Sequence, residues 1–428
     1  HVAAPGVRPP ASELLTRLFR AGLDAADPAH CLPAFLPVDC PAGRTVVLGA
    51  GKAAASMAAA VAAHYAAHGL APVNGAVVTR YGHGLWAGEQ APGIEVLEAG
   101  HPVPDAASVA AATRILQVAR SCEPDDRCLA LLSGGASSLL VQPAPGLTLA
   151  DKQSVTRRLL ASGAAIAEIN TVRRKLSSIK GGGLARQCRA GEILLLAISD
   201  VPGDALADIG SGPLSPDPAS GADARAILDH YGIVPSAAVA RALAEPAGPA
   251  QALPFSAVTG HLVACSATAV DAVARAADAA GWPARILPAA NGPARDAARA
   301  HAALVRELRA SGQRAVLVSG GETTVSVARD AGRGGRNGEY LLALALELGP
   351  EAGIHALAAD TDGLDGTGDN AGAFLTPDTL QRAAALGQDA AARLSAQESY
   401  TFFAALGDLL ITGPTRTNVN DLRIALVD

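Results

Sequence analysis

Short apolar runs ending in glycine or a polar residue recur along the chain, separated by stretches with helical spacing. TVVLG (45–49), a β-branched run closed by glycine, reads as a buried strand, and the alanine-rich stretch 53–67 after GAGK is a strong helix former. AVVT (76–79), IEVLEA (94–99), CLALLS (128–133) and ILLLAIS (193–199) read as further strands. Helices are predicted over residues 106–120 and 149–169, and another near 12–20. This alternation predicts right-handed crossovers and a mainly parallel sheet covered on both faces. A second series follows, with HLVACS (261–266), AVLVSGG (315–321), HALAAD (355–360) and RIALV (423–427). Segments rich in proline, glycine and serine (211–221) or in proline and alanine (245–254) lie between the series, so the expected domains are 1–245 and 246–428. The predicted fold class is α/β, two Rossmann-like lobes with mainly parallel sheets and a cleft between them.

Composition narrows the setting. At 428 residues more than one domain is expected, and with 3% aromatic residues the core must be built from Ala, Val and Leu. No apolar run reaches the roughly 18 residues a membrane span needs. A net charge of −6 leaves no electrostatic footprint for nucleic acid or an anionic membrane surface. Six cysteines form neither a CxxC pair nor a metal-type spacing, so reduced, mostly buried thiols and a cytoplasmic location are expected. The chain has 30 Arg and only four Lys: Lys52, Lys152, Lys175 and Lys180. Three of these lie beside glycine-rich turns, in GAGK (49–52) and RRKLSSIKGGG (173–183), where a compact ammonium differs chemically from a guanidinium.

The polar clusters follow predicted strands, where open α/β sheets bind ligands. In GAGK, Gly49 and Gly51 let backbone approach a phosphate at a helix start, and Lys52 adds charge. The spacing is neither a Walker A loop nor GxGxxG, since Ala54 stands at the third glycine position. Ser133, Gly134, Gly135, Ser137 and Ser138 form a second candidate cradle, with no well-placed His after it to make a serine nucleophile. Arg173 and Lys180 belong to a basic run ending in three glycines, where the alternative is a solvated face. Asp200, in SDVPGD after an apolar run, suits metal binding or deprotonation of a hydroxyl, or else caps the next turn. Arg336, with Asn337 and Glu339 after it, is placed to clamp a phosphate or carboxylate. Gly320, Gly321, Glu322 and Thr323 repeat the Gly-Gly turn of the first half. The loop DTDGLDGTGDNAG (360–372) resembles a calcium loop, but its third acid and its glycine fall one position late and no Glu closes it. Asp360 and Asp362 fit Mg²⁺ held with nucleotide phosphates better, and Thr415 and Asn418 lie on the last polar loop. Together these supply what phosphoryl transfer requires: cations for phosphate oxygens, acids for a metal, and exposed backbone amides.

The chain resembles the glycerate 2-kinase family (class II, with the MOFRL domain), some members of which carry the label hydroxypyruvate reductase. GAGKA (49–53), GHPVPD (100–105), SGGASSL (133–139), NTVRRKLSSIKGGGLA (170–185) and SDVPGD (199–204) carry the resemblance. It continues through SGGETTV (319–325), GGRNGE (334–339), DTDGLDGTGDNAGA (360–373) and GPTRTNVND (413–421). It implies ATP- and Mg²⁺-dependent phosphorylation of D-glycerate at its 2-hydroxyl, with Lys52, Asp200 and Arg336 as the essential charged residues. It also implies nucleotide or substrate contacts at the glycines and hydroxyl residues named above, and metal at Asp200, Asp360 and Asp362. Gly338, where the family often has a polar residue, and the altered approach VARDAGRGG (327–335) depart from the pattern. An NAD(P)H-dependent reductase would need GxGxxG and an acid about twenty residues on, yet no Asp or Glu lies between Lys52 and Glu89. A non-catalytic sugar-acid sensor would have no use for Mg²⁺ ligands. The expected partners are small molecules alone, and the oligomeric state stays open, a homodimer included.

Overall fold

The computed structural model describes residues 10–244, 255–326, 332–349 and 354–428. They divide into two units, Pro28–Val263 and a second that joins the segment ending at Asp27 to Ala264–Asp428. The expected single boundary near 245 is therefore replaced by crossings at 27/28 and 263/264. The 245–254 segment itself lies outside the described residues.

In the first unit six strands form one sheet: β1 (Thr45–Ala50), β2 (Asn74–Arg80), β3 (Ile94–Ala99), β4 (Arg127–Leu132), β5 (Glu192–Ile198) and β6 (Val258–Ala264). Their order is β3-β2-β1-β4-β5-β6, and the ladders joining β3 through β5 are all parallel. β1 and β4 are buried along their whole length, as parallel strands covered on both faces must be. β6, read from sequence as the start of the second series, instead closes this sheet, which is why the boundary moves. The predicted helix 149–169 is two helices, Leu149–Ala161 and Ile166–Lys175, because the chain turns at Gly163 with φ +74°. They pack with Gly221–His230 and Ala237–Ala244 around Leu159, Ile169, Val172 and Leu228.

The second unit carries β7 (Ala284–Ile286), β8 (Ala315–Ser319), β9 (His355–Asp360), β10 (Gly372–Leu375), β11 (Leu409–Leu410) and β12 (Asp421–Val427). Their order is β11-β10-β9-β12-β8-β7. Here the expectation of a mainly parallel sheet fails: among the described residues of this six-stranded sheet only β7 and β8 pair in parallel and the other ladders are antiparallel, while a separate short parallel pair joins Gly292–Pro293 to Thr323–Thr324. The last strand, β12, inserts between β8 and β9, and the acidic loop 361–371 reverses the chain into β10. Apolar content encodes burial, not direction, so neither event shows in the strand pattern. The helix Ala11–Ala25 belongs to this unit and packs on Ser266–Ala279. A Cβ at Gly22 would meet Leu422 Cδ1 at 2.6 Å and Val273 Cγ2 at 3.0 Å, so glycine lets this helix pack closely here. No helix among the described residues is long and apolar enough to cross a membrane.

Candidate active site

In the first unit, Lys52, Ser133 and Asp200 follow β1, β4 and β5, three adjacent strands, so the topology gathers them at the carboxyl edge of the sheet. Two glycine turns interlock there. Gly51 has φ +135°, and a Cβ on it would collide with Ser133 Oγ. Ser133 N donates to Ala50 O at 3.1 Å, Lys52 N to Gly134 O at 2.8 Å, and Ala53 N to Ser133 Oγ at 3.0 Å. Gly51 N donates to Val78 O at 3.0 Å and Ala54 N to Gly51 O at 3.0 Å. The GAGK amides therefore serve the fold, which leaves the Lys52 side chain and the helix dipole as the positive groups this turn can offer a ligand. Gly49 is a packing glycine, since a Cβ there would meet Leu131 O at 2.7 Å. The amides of Gly134 and Gly135, by contrast, have no acceptor among the described residues.

The serines of this turn are engaged within the unit. His101, from GHPVPD, hydrogen-bonds Ser138 Oγ through Nδ1 at 2.6 Å, a pairing that the search for a downstream His missed. Ser138 is 6% exposed and its hydroxyl also donates to Gly135 O at 3.1 Å, which makes it a brace rather than a nucleophile. Ser137 Oγ shares a 2.6 Å hydrogen bond with Ser211 Oγ, and Lys180 Nζ donates to Ser137 O at 2.6 Å. Lys180 and Arg173 line a single cavity, so they are not a solvated basic face.

In the second unit Arg336 begins the helix Arg336–Leu348. Its guanidinium donates to Asp421 Oδ1 at 2.9 Å, Glu322 Oε1 at 2.8 Å and Asp360 Oδ2 at 2.6 Å. Burial opposes its charge, but Asp421, Asp360 and Glu322 outweigh burial and hold it protonated far above its ordinary range. Asp421 is fully buried and also accepts from Asn337 Nδ2 at 2.9 Å and Arg423 Nη2 at 2.6 Å. Asp365 accepts the Asn337 and Gly338 amides, both at 2.9 Å, while burial pushes its carboxyl up to about 6.

Several nominated residues prove to be supports. Asn337 is wholly buried between Asp365 and Asp421, and Glu339 pairs with Arg295 Nε at 2.7 Å. Gly321 N donates to Ser266 Oγ at 3.2 Å, Gly320 O accepts from Arg423 Nη1 at 3.0 Å, and Thr323 Oγ1 from Arg423 Nη2 at 3.0 Å. Thr415 Oγ1 bonds Thr361 O, and Asn418 Oδ1 accepts Asn420 N at 3.2 Å, so the last loop braces the acidic loop and itself. Asp362 Oδ1 accepts Leu364 N at 2.9 Å, and Asp360 Oδ1 accepts Asp362 N at 2.9 Å. No group of three or more His, Cys, Asp or Glu among the described residues is arranged to hold a metal. This donor set fits a Mg²⁺ carried by nucleotide phosphates, which needs one or two protein carboxylates, and does not fit an all-protein cage. Sequence reasoning did not nominate Asp421, Arg423, His101 or Lys152. Asp421 closes the GPTRTNVND motif and was visible as its last residue, whereas Lys152 sits beside no glycine turn.

An α/β chain with cations and free amides at one sheet edge, and a carboxylate-held arginine in the other unit, belongs to the class of enzymes that handle phosphorylated or carboxylated small molecules. Two family models match it, "Domain of unknown function (DUF4147)" over residues 14–244 and "MOFRL family" over 315–421. D-glycerate 2-kinase of Thermotoga maritima is 37% identical over 97% of this chain and 98% of its own length. A protein of Agrobacterium vitis with the provisional name hydroxypyruvate reductase is 48% identical over 97% of this chain and 94% of its own. The crystal structure of a Thermotoga maritima glycerate kinase superposes with TM-score 0.87 at 36% identity, covering 98% of this chain and 100% of that one. The chain belongs to the glycerate kinase family built from these two domains.

Proposed function

We propose that the protein transfers the γ-phosphoryl group of ATP to the 2-hydroxyl of D-glycerate, with Mg²⁺, releasing 2-phosphoglycerate and ADP. The observation that carries this reading is the convergence of Lys52, the Ser133–Gly135 turn and Asp200 on adjacent strand ends. Lys52 and the free Gly134 and Gly135 amides neutralise charge on the transferring group, which is most of what a phosphotransferase contributes. Asp200 orients the attacking hydroxyl and takes its proton as the bond to phosphorus forms. Arg336 holds anionic ligand charge by exchanging its Glu322 partner, the exposed one of three at 41% against 7% for Asp360 and 0% for Asp421. Mg²⁺ would supply charge neutralisation at the nucleotide phosphates, and the carboxylates that would hold it are Asp200 in the first unit or Asp360 and Asp362 in the second.

Lys52→Met and Asp200→Asn test these roles. Each lowers kcat by roughly 10²–10⁴-fold with Tm unchanged. Near-normal turnover in either variant removes that residue from the mechanism. The name of the Agrobacterium vitis relative favours a second reading, NAD(P)H-dependent reduction of hydroxypyruvate. It requires NADH consumption with hydroxypyruvate and no added ATP.

A further inference from the structure

The helices Leu149–Ala161 and Ile166–Lys175, with residues of the segments 102–104 and 137–141, line a cavity of about 500 Å³. Four cations line it, the exposed Arg157 and the more buried Lys152, Arg173 and Lys180. Lys180 is 2% exposed, and its ammonium has one acceptor, Ser137 O. Lys152, 7% exposed, donates to Leu176 O at 2.9 Å and Arg173 O at 3.4 Å. Arg173 makes one long hydrogen bond, 3.4 Å to Asn170 Oδ1. No carboxylate among the described residues pairs with any of the three. The acids nearby are engaged elsewhere: Asp217 with Arg174 and Lys175, Asp151 at the Thr148 helix cap, and Glu168 with Tyr231.

Buried charges in proteins are ordinarily paired, because desolvation without a counter-charge costs several kcal/mol per ion. Here three like charges converge with only neutral acceptors. Burial, then Arg173, draws the Lys152 ammonium down to about 7, and burial with Arg173 and Lys152 draws Lys180 well below its ordinary value. The groups facing Lys152 are Arg157 on its own helix, Arg173 and Lys180, all cationic. An anionic ligand supplies the missing counter-charge. The rest of the wall is largely apolar, including Leu149, Leu160 and Ile166. The cavity also touches Ser137, in the same turn whose Gly135 lies against Lys52: a Cβ on Gly135 would stand 3.3 Å from Lys52 Cγ.

We infer that this cavity seats the nucleotide, with Lys152, Arg173 and Lys180 on the polyphosphate and the Leu149–Leu160–Ile166 wall against the base. The inference rests on the kinase reading above and adds a subsite and a residue, Lys152, to it. A three-carbon acid fits the cations but leaves the apolar wall wet, whereas cavities of roughly 300–1,000 Å³ suit ligands of nucleotide size. Phosphates arriving beside Lys152 favour its protonated form, so binding above pH 7 takes up protons.

Calorimetric titration of ADP into the full-length protein, Lys152→Met and Ile166→Asp tests the assignment. Ile166 is 67% exposed on the cavity rim, so Ile166→Asp sets a hydrated carboxylate where the base would pack, without touching the core. The expected result is ADP affinity at least tenfold weaker in both variants, with glycerate binding within twofold of wild type. Pyrophosphate competes with ADP, and the proton uptake seen at pH 8 is lost in Lys152→Met. ADP affinity within twofold of wild type in both variants overturns the assignment, as does loss of glycerate rather than ADP binding. Wild-type turnover with an unchanged KM for ATP in both variants sinks this subsite alone. ADP binding as described, without phosphoglycerate from ATP, sinks the kinase reading and leaves the subsite standing.

Discussion

Asp421→Asn removes one charge from the carboxylate network while keeping its shape. Arg336 retains Asp360 and Glu322, but Arg423, 2% exposed, loses the one carboxylate it contacts and keeps Gly320 O and Thr323 Oγ1. Removing one partner of a buried pair costs about 3–5 kcal/mol, chiefly because the other charge stays buried and uncompensated. Coulomb attraction between charges roughly 4 Å apart at an effective dielectric of 20 gives about 4 kcal/mol, the same size. At roughly 2–4 °C per kcal/mol for a unit of this length, the transition of the second unit falls by about 8–16 °C. The assay is thermal unfolding by calorimetry, read as the shift of the transition between wild type and variant. Adding Arg423→Met returns part of the loss, because the stranded guanidinium is then gone. A fall below about 2 °C in Asp421→Asn, or a double variant no better than the single, refutes this account of the network.

Two further substitutions probe the fold beneath the site. Gly51→Ala forces a Cβ onto Ser133 Oγ at φ +135°, so the first unit loses about 1–3 kcal/mol in urea unfolding, and an unchanged midpoint contradicts the interlocked turns. For Asp365, the folded value near 6 stands above the unfolded 3.8, so the stability its protonation confers is complete below 3.8 and lost as pH rises through 6. Asp365→Asn therefore gains about 2 kcal/mol on wild type between pH 4 and pH 7, measured as the difference of two denaturation curves, and a pH-independent difference refutes it.

The first sheet was legible because its central strands β1, β4 and β5 are nearly uninterrupted apolar runs, as strands covered on both faces must be, and helical stretches alternate with the strands. TVVLG and CLALLS sit within a residue or two of β1 and β4, and Lys52, Ser133 and Asp200 follow from their ends. Strand direction in the second unit was not legible, because the same apolar run suits either sense and the short strands β7, β10 and β11 fall below any periodicity window. Arg336 was found from its glycine-flanked helix start, yet its binding by three carboxylates joins residues 322, 360 and 421 that no local spacing connects. Asn337 and Glu339 were nominated for polarity alone, and their burial against Asp365 and Arg295 was beyond what a helix start can show. Lys152 was passed over because its cavity is assembled from two helices and a distant turn.

The most direct test is a coupled assay with D-glycerate, ATP and Mg²⁺, in which product passes to enolase with no phosphoglycerate mutase present. The account predicts enolase signal that depends on both ATP and D-glycerate, since only 2-phosphoglycerate is an enolase substrate. No signal, together with NADH consumption on hydroxypyruvate, contradicts it.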